Sequence, residues 1–262
     1  MKLRVHTWGG LGSQLFALSL IFDLMRKFPK KRIELLHHTA GVTRRLFELD
    51  FMLSPKIQLI VRDDFILNAN LGSGEFAKRL KTNLVILIKY ILNKFKVSLN
   101  FDRYNSIKMI KPWSLELRGH YSQRSVSIEF LDYCLKAFNY NHGQQKKYSN
   151  TLIVHYRLGD LLSLPEKSII QPEKLIIEII RVLKFNEITT IDVYSDSVEV
   201  AKSMLSSIDN MVDTVRYVDV TTREVIENSI HAQYFIGTNS KVSIWILKLR
   251  NHLGVYSAIL EN

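Results

Sequence analysis

One cysteine, five prolines and eleven glycines in 262 residues are small numbers, and each scarcity excludes something. Cys134 has no partner for an intrachain disulfide, so the fold needs no oxidising compartment and a reducing cytoplasm suits it. No HExxH, cysteine pair or Asp-x-Asp at a strand end offers a metal site, and a Gly-x-Ser-x-Gly elbow and a P-loop are missing too. The most apolar window, Leu84 to Phe95, is interrupted by Lys89 and Lys94 well short of the ~18 uncharged residues a membrane span requires. Met1–Trp8 lacks the apolar core and small-residue cleavage site of a signal peptide, so secretion is not expected. Polar low-complexity tracts are also scarce. With 47% apolar residues the chain can bury a sizeable core, which excludes disorder.

Positive charge is in excess and unevenly placed. The net charge is +11, yet residues 1–150 hold 25 Lys and Arg against 11 Asp and Glu, whereas 151–262 hold 11 against 14. Such asymmetry predicts two units with different partners. The basic half could meet nucleic acid, an anionic membrane surface or a phosphorylated ligand. Its basic stretches Lys27–Arg32 and Lys78–Lys96 hold only Phe28, Tyr90 and Phe95 as aromatics, too few interleaved rings for a base-stacking platform, which argues against nucleic acid.

Hydrophobic spacing gives the architecture. Leu3–Trp8 reads as a strand ending in Gly9-Gly10-Leu11-Gly12, followed by a helix over Gln14–Lys27 stopped by Pro29, and a second strand at Arg32–His38. This is a βαβ unit. Lys78–Lys96 reads as a basic amphipathic helix, Ser114–Tyr121 alternates like a strand, and the polar stretch Gly143–Asn150 is the linker expected between domains. Strands at Thr151–Tyr156, Ile188–Tyr194, Val215–Val218 and Tyr234–Gly237 then alternate with helices at Pro172–Phe185, Ser197–Ile208, Thr222–Ala232 and Lys241–Asn251. The expectation is an α/β protein of two Rossmann-like lobes whose parallel sheets face a central cleft. Residues 1–145 form the basic lobe and 146–262 the second.

Ligands of open parallel sheets collect beyond the carboxyl ends of the strands, and four such ends here are polar or glycine-rich. The first is Gly9-Gly10-Leu11-Gly12-Ser13-Gln14, where glycines admit a ligand close to the backbone and a helix start offers N–H groups. A dinucleotide fingerprint fails there, because Leu15 replaces its third glycine and the following strand ends in His37-His38 instead of an acid. The second is His155-Tyr156-Arg157-Leu158-Gly159-Asp160. His155 and Arg157, two apart, should share a face, and an arginine can fork onto phosphate oxygens while Asp160 caps, binds a hydroxyl or takes a proton. The third is Tyr194-Ser195-Asp196-Ser197, which either caps the next helix or reads a base or ribose. The fourth, Gly237-Thr238-Asn239-Ser240-Lys241, places short polar groups and a lysine at a helix start that suits an anion. A tight turn, a surface Arg–Asp pair and simple capping are the plain structural alternatives at these ends.

In order along the chain, these segments resemble the bacterial α-1,2-fucosyltransferase family, within a superfamily sharing His-x-Arg-x-Gly-Asp. GGLGSQLF is similar to the family's GGLGNQLF with Ser13 in place of asparagine. HYRLGD at 155–160 matches at every fixed position. YSDS at 194–197 and GTNSKVSIW at 237–245 resemble the later motifs, although Lys241, Val242 and Ile244 depart from the last one. Gly119-His120-Tyr121-Ser122-Gln123 is similar to a further stretch between them. The resemblance implies a GT-B-like fold and inverting transfer from a GDP-6-deoxyhexose without a metal or other cofactor. The acceptor is expected to be an oligosaccharide, lipid-linked and part of a bacterial surface polysaccharide such as O-antigen. The protein would be cytoplasmic, peripheral at the anionic inner membrane face, and would bind no nucleic acid. By the same resemblance Arg157 would bind the β-phosphate, His155 would lie near the nucleotide, and Asp196 would read guanine or ribose. Thr238, Asn239, Ser240 and Lys241 would meet the diphosphate. Gly10, Gly12, Ser13, Gln14, His120 and Tyr121 would line the acceptor side. Asp160 is the first candidate for general base, with His6, Glu166 and a base-free route behind it.

Overall fold

The computed structural model describes residues 2–40, 44–63, 91–92, 94–100, 107–141, 148–163 and 169–261. The chain folds into two compact units, Met1–Phe130 and Leu131–Asn262, each an α/β unit built on a five-stranded parallel sheet. Most of the segment predicted as a linker, and most of the Lys78–Lys96 helix, lie outside the described residues, as does Glu166.

In the first unit, β1 (Lys2–Trp8) leads through α1 (Leu11–Lys27) to β2 (Arg32–His38), then to β3 (Ile57–Arg62), β4 (Ser98–Asn100) and β5 (Glu116–Arg118). The sheet order is β3-β2-β1-β5-β4. Leu3, Val5, Ile33, Leu35 and Leu117 are fully or almost fully buried, as are Leu15, Phe16, Leu20 and Ile21 of α1. The helix begins at Leu11, earlier than its apolar periodicity indicates, because the glycine turn itself enters the helix: Ser13 and Gln14 N–H groups both donate to Gly10 O. Lys27 and Lys31 are tied to the backbone at the surface. Their ammonium groups donate to the carbonyls of Ile107 and Ile110, and of Pro112 and Ser114, so part of the basic excess ties down a loop.

The helix α2 (Ile128–Ala137) carries the chain across the division. In the second unit β6 (Thr151–His155), α3 (Pro172–Lys184), β7 (Thr190–Tyr194), α4 (Val198–Leu205), β8 (Thr214–Val218), α5 (Thr222–His231), β9 (Tyr234–Thr238), α6 (Lys241–His252) and β10 (Ala258–Leu260) alternate strictly. The sheet order is β10-β9-β6-β7-β8. Central strands covered on both faces read as apolar runs, which is why β6 was legible, and β7 keeps Ile191, Val193 and Tyr194 around the single charge of Asp192. Leu152, Val154, Ile191, Val193 and Ile236 join Leu175, Ile179, Ala201 and Leu205 in one core. The edge strands β3, β4 and β10 escape the sequence reading, being short or only partly buried, and so carry little periodic signal.

A fully buried Arg250 closes the second unit. Its guanidinium donates to the carbonyls of Ser229, Ala232, Gln233 and Tyr256 and to Ser257 Oγ. It thereby caps the end of α5 and fixes the approach to β10; burial lowers its pKa to about 10. Among the described residues no helix is long and apolar enough to cross a membrane.

His6, in β1, is 5% exposed, and its Nδ1 lies 2.9 Å from His38 Nε2 with the rings stacked. Burial, then Arg118, lowers its pKa from 6.5 to about 4. Between those values the unfolded chain binds the proton and the native state does not, so stability falls as the pH is lowered from 6.5 towards 4. Urea midpoints across that range should decline. His6→Gln should lessen the slope without abolishing it, because His155 is lowered in the same direction.

Candidate functional site

In the second unit the chain runs outward from β6 to β7 and β8, then crosses back to β9 and β10 on the other side. Between β6 and β9 the connections diverge, opening a crevice at the carboxyl ends, the place where such sheets bind ligands. Three of the four polar strand ends flank it.

The turn after β6 is held by three successive backbone bonds. Tyr156 N–H donates to Tyr194 O (2.9 Å), Arg157 N–H to Thr238 Oγ1 (3.0 Å) and Leu158 N–H to Asp196 Oδ1 (2.9 Å). Alternate residues are thus fastened to β7 on one side and β9 on the other. Gly159 follows because nothing larger fits: a Cβ there would lie 2.2 Å from Asp196 Oδ2. A 3₁₀ turn over Gly159–Ser163 then places Asp160 Oδ1 2.5 Å from Arg157 Nη2.

Arg157 leaves the turn half-buried. Its Nε is buried with no acceptor among the described residues, and Asp196 Oδ2 lies 4.0 Å from it. A buried guanidinium N–H without a partner is a donor awaiting an acceptor. Across the crevice, Ser240 caps α6 by accepting from Ser243 N–H, and Asn239 is exposed beside it. His155 ends β6 with Nδ1 2.8 Å from Ser243 Oγ, and burial lowers its pKa to about 4 despite the nearby carboxylate of Asp196. The strand stops at His155, so Arg157 belongs to the turn, and the shared strand face predicted for the two does not exist.

Several expected roles change. Thr238 is 2% exposed; its hydroxyl accepts from Arg157 N–H and donates to His155 O, so it braces the turn instead of meeting a diphosphate. Asp196 does not cap its own helix, whose first turn receives no side-chain cap bond, but reaches across to β6. Asp160 is committed to Arg157, which makes it an orienting partner of the guanidinium. Sequence reasoning missed Ser243, although it stands within the motif quoted for the fourth strand end. A serine two residues into a helix looks like any other until the fold sets it against His155.

The first unit has the matching crossover between β1 and β5, and the two remaining glycine-containing segments do meet there. Trp8 and His120 rings contact edge-on at 4.7 Å, with His120 exposed. Gly9 takes φ +85, a left-handed conformation that favours glycine, and a Cβ there would meet Ser13 Oγ at 3.2 Å. Gly10 stands beside Glu48, whose Oε1 would be 3.7 Å from a Cβ, and Gly12 is buried in the first turn of α1.

Here too there are corrections. Gln14 is fully buried, with its amide donating to Gly9 O and Leu46 O and accepting from Glu48 N–H, so it clamps a loop and does not line a ligand surface. At the helix start, where N–H groups were expected to face a ligand, Leu11 N–H goes to Glu48 Oε1 at 3.0 Å. Tyr121 is 1% exposed at φ +57, with its hydroxyl directed at His6 O and Leu117 O. His6, an alternative base, is buried. Glu48 was invisible in sequence because it lies 34 residues beyond Gln14 in a stretch without periodicity.

No protein-family model matches the chain, and no curated protein matches its sequence. Among solved structures, the fold is similar to POFUT1 in complex with GDP-fucose (TM-score 0.49, 10% identity, over 99% of this chain and 97% of that one). It is also similar to Escherichia coli heptosyltransferase WaaC with ADP (0.46, 11%, 100% and 93%). A third likeness is to a family 9 glycosyl transferase from Veillonella parvula (0.45, 10%, 100% and 86%). Each is a likeness of overall fold.

The close approach at Gly159 is testable. Gly159→Ala should displace the Asp196 carboxylate and destabilise the protein by about 1–3 kcal/mol, the range for overpacking. Adding Asp196→Ser should recover part of that loss, because the smaller side chain makes room for the methyl; thermal melts of the single and double variants measure both.

Proposed function

We propose that the protein is a glycosyltransferase that moves fucose or a related 6-deoxyhexose from a GDP-sugar to a glycan acceptor, with inversion at the anomeric carbon and without a metal. The observation that carries this reading is Arg157 at the β6–β9 crossover, its buried Nε–H without a partner among the described residues, opposite the capped start of α6. The ordered motif set in the sequence supports it.

The chemistry follows from charge. An acceptor hydroxyl oxygen attacks the anomeric carbon as the bond to the β-phosphate oxygen breaks, and the electron pair leaves on GDP. Negative charge therefore grows on the diphosphate in the transition state. Arg157 supplies a fixed cation there, held in orientation by Asp160, and the N–H groups of α6 add a smaller positive potential. Asn239, exposed at the fourth strand end, meets the diphosphate, with Lys241 beside it at the start of α6. Asp196 presents its other oxygen to a ribose or base. Because Asp160 is engaged by Arg157, the hydroxyl proton passes to the departing phosphate or to solvent. The acceptor is a lipid-linked oligosaccharide met at the inner membrane face, on the side of the basic unit, in building a surface polysaccharide.

Thermal unfolding with GDP and GDP-fucose tests the reading directly. At a hundredfold excess over Kd, binding to the native state alone contributes about 2.7 kcal/mol. Arg157→Ala should lose that shift and reduce transfer by about 10²–10³-fold. Donor turnover should be unchanged by a chelator. No shift with GDP or any GDP-sugar, with Arg157→Ala behaving as the parent does, overturns the proposal. Asp160→Asn should raise KM for the donor while keeping measurable kcat; complete loss of kcat at unchanged KM would instead make Asp160 the base.

A further inference from the structure

A chain of three side chains lies behind the candidate site. Ser240 Oγ accepts from Ser243 N–H at 3.0 Å, and its own hydroxyl lies 3.1 Å from Ser243 Oγ. Ser243 Oγ in turn lies 2.8 Å from His155 Nδ1. Ser240 is 7% exposed and Ser243 fully buried, so both hydroxyl protons need acceptors inside the protein.

Only one direction of bonding satisfies them. If Ser240 donates to Ser243 and Ser243 donates to His155, every proton has an acceptor and Nδ1 is the accepting nitrogen. The reverse order, His155 to Ser243 to Ser240, leaves the Ser240 proton with no acceptor among the described residues. A neutral imidazole that accepts at Nδ1 carries its proton at Nε2. The ring is neutral because burial disfavours its cation, and the two charged groups acting on it, Asp196 and Arg157, oppose one another.

The backbone makes room for this contact. His155 and Gly237 are register partners on β6 and β9, and a Cβ on Gly237 would lie 2.7 Å from both Cβ and Oγ of Ser243. The bare strand position lets a helix residue cross β9 and reach the end of β6.

We infer that Ser243, backed by Ser240, is a positioning residue that holds His155 in the Nε2–H tautomer, as a neutral hydrogen-bond donor to an oxygen of the bound nucleotide. The ligand in this statement rests on the proposed function; the tautomer does not. A neutral donor beside Arg157 adds a hydrogen bond for the ligand without adding a second cation that would repel the first.

The test is two-bond ¹H–¹⁵N NMR on histidine-labelled, ligand-free protein at neutral pH, with His155 assigned by its loss in His155→Gln. The expected pattern is a protonated Nε2 and an unprotonated Nδ1. Ser240→Asp still accepts the capping N–H of Ser243 but has no proton to give. The Ser243 hydroxyl then turns to the new carboxylate and the His155 pattern inverts to Nδ1–H. Ser243→Ala, which only relieves crowding at Gly237, should keep the fold, mix the two tautomers and weaken GDP binding about tenfold in calorimetry. A wild-type Nδ1–H pattern, or Ser240→Asp spectra identical to wild type, overturns the positioning role. Unchanged GDP affinity in Ser243→Ala, with wild type binding normally, overturns the role toward the nucleotide. Failure of wild type to bind GDP counts against the proposed function, while the ligand-free spectra decide the tautomer separately.

Discussion

Three consecutive backbone N–H groups, those of Tyr156, Arg157 and Leu158, go alternately to the strands on either side of β6. A turn leaving the end of a strand usually gives its amides to water, and it can then move. Here each amide has a partner from another part of the chain, so the turn is as fixed as the sheet. Arg157 gains from that rigidity, because an electrostatic site works best when its charge is already in position before the reaction begins. The requirement spreads outward: Gly159 must lack a Cβ to admit Asp196, and Gly237 must lack one to admit Ser243.

The two units share an architecture and use it differently. At the crossover of the first sheet, the protein fills its own crevice edge: Glu48 takes an N–H of α1, Gln14 clamps the adjoining loop, and Tyr121 closes over β1. What remains outward is an aromatic and imidazole edge at Trp8 and His120. Each crossover also holds one buried guanidinium N–H without a partner among the described residues, the Nε of Arg118 in β5 and that of Arg157 after β6. A buried donor without an acceptor costs stability, about 1–3 kcal/mol for a polar group, and a ligand that supplies the missing partner offsets that cost.

Bulk charge proves a poor guide to these sites. The basic excess belongs to the first half of the sequence, yet Lys27 and Lys31 there hold backbone carbonyls, and Glu34 is paired with Lys2 and Arg4. In the second unit Arg250 is spent on carbonyls and Arg216 on Asp192. Arg157 shares the lack of an Nε partner among the described residues with Arg118, and is set apart by its place among the polar strand ends of the second sheet, a property invisible to any count of cations.

Composition and periodicity determined the α/β class, the long helices, the central strands and the four polar strand ends, because burial on both faces imposes unbroken apolar runs and turns demand glycine. The edge strands β3, β4 and β10 carried no such pattern and went unread, whereas the edge strand β8 was placed. Partnership was likewise beyond the sequence. Gln14, Thr238 and Tyr121 have side chains suited to a ligand, and only the fold shows their hydrogen bonds already used. Glu48 and Ser243 have no local signature, since their roles depend on residues 34 and 88 positions away. Sequence determines which groups exist and which elements carry them. Which of those groups remain open to a ligand is decided by tertiary structure, because a hydrogen bond made inside the protein is one no longer available outside it.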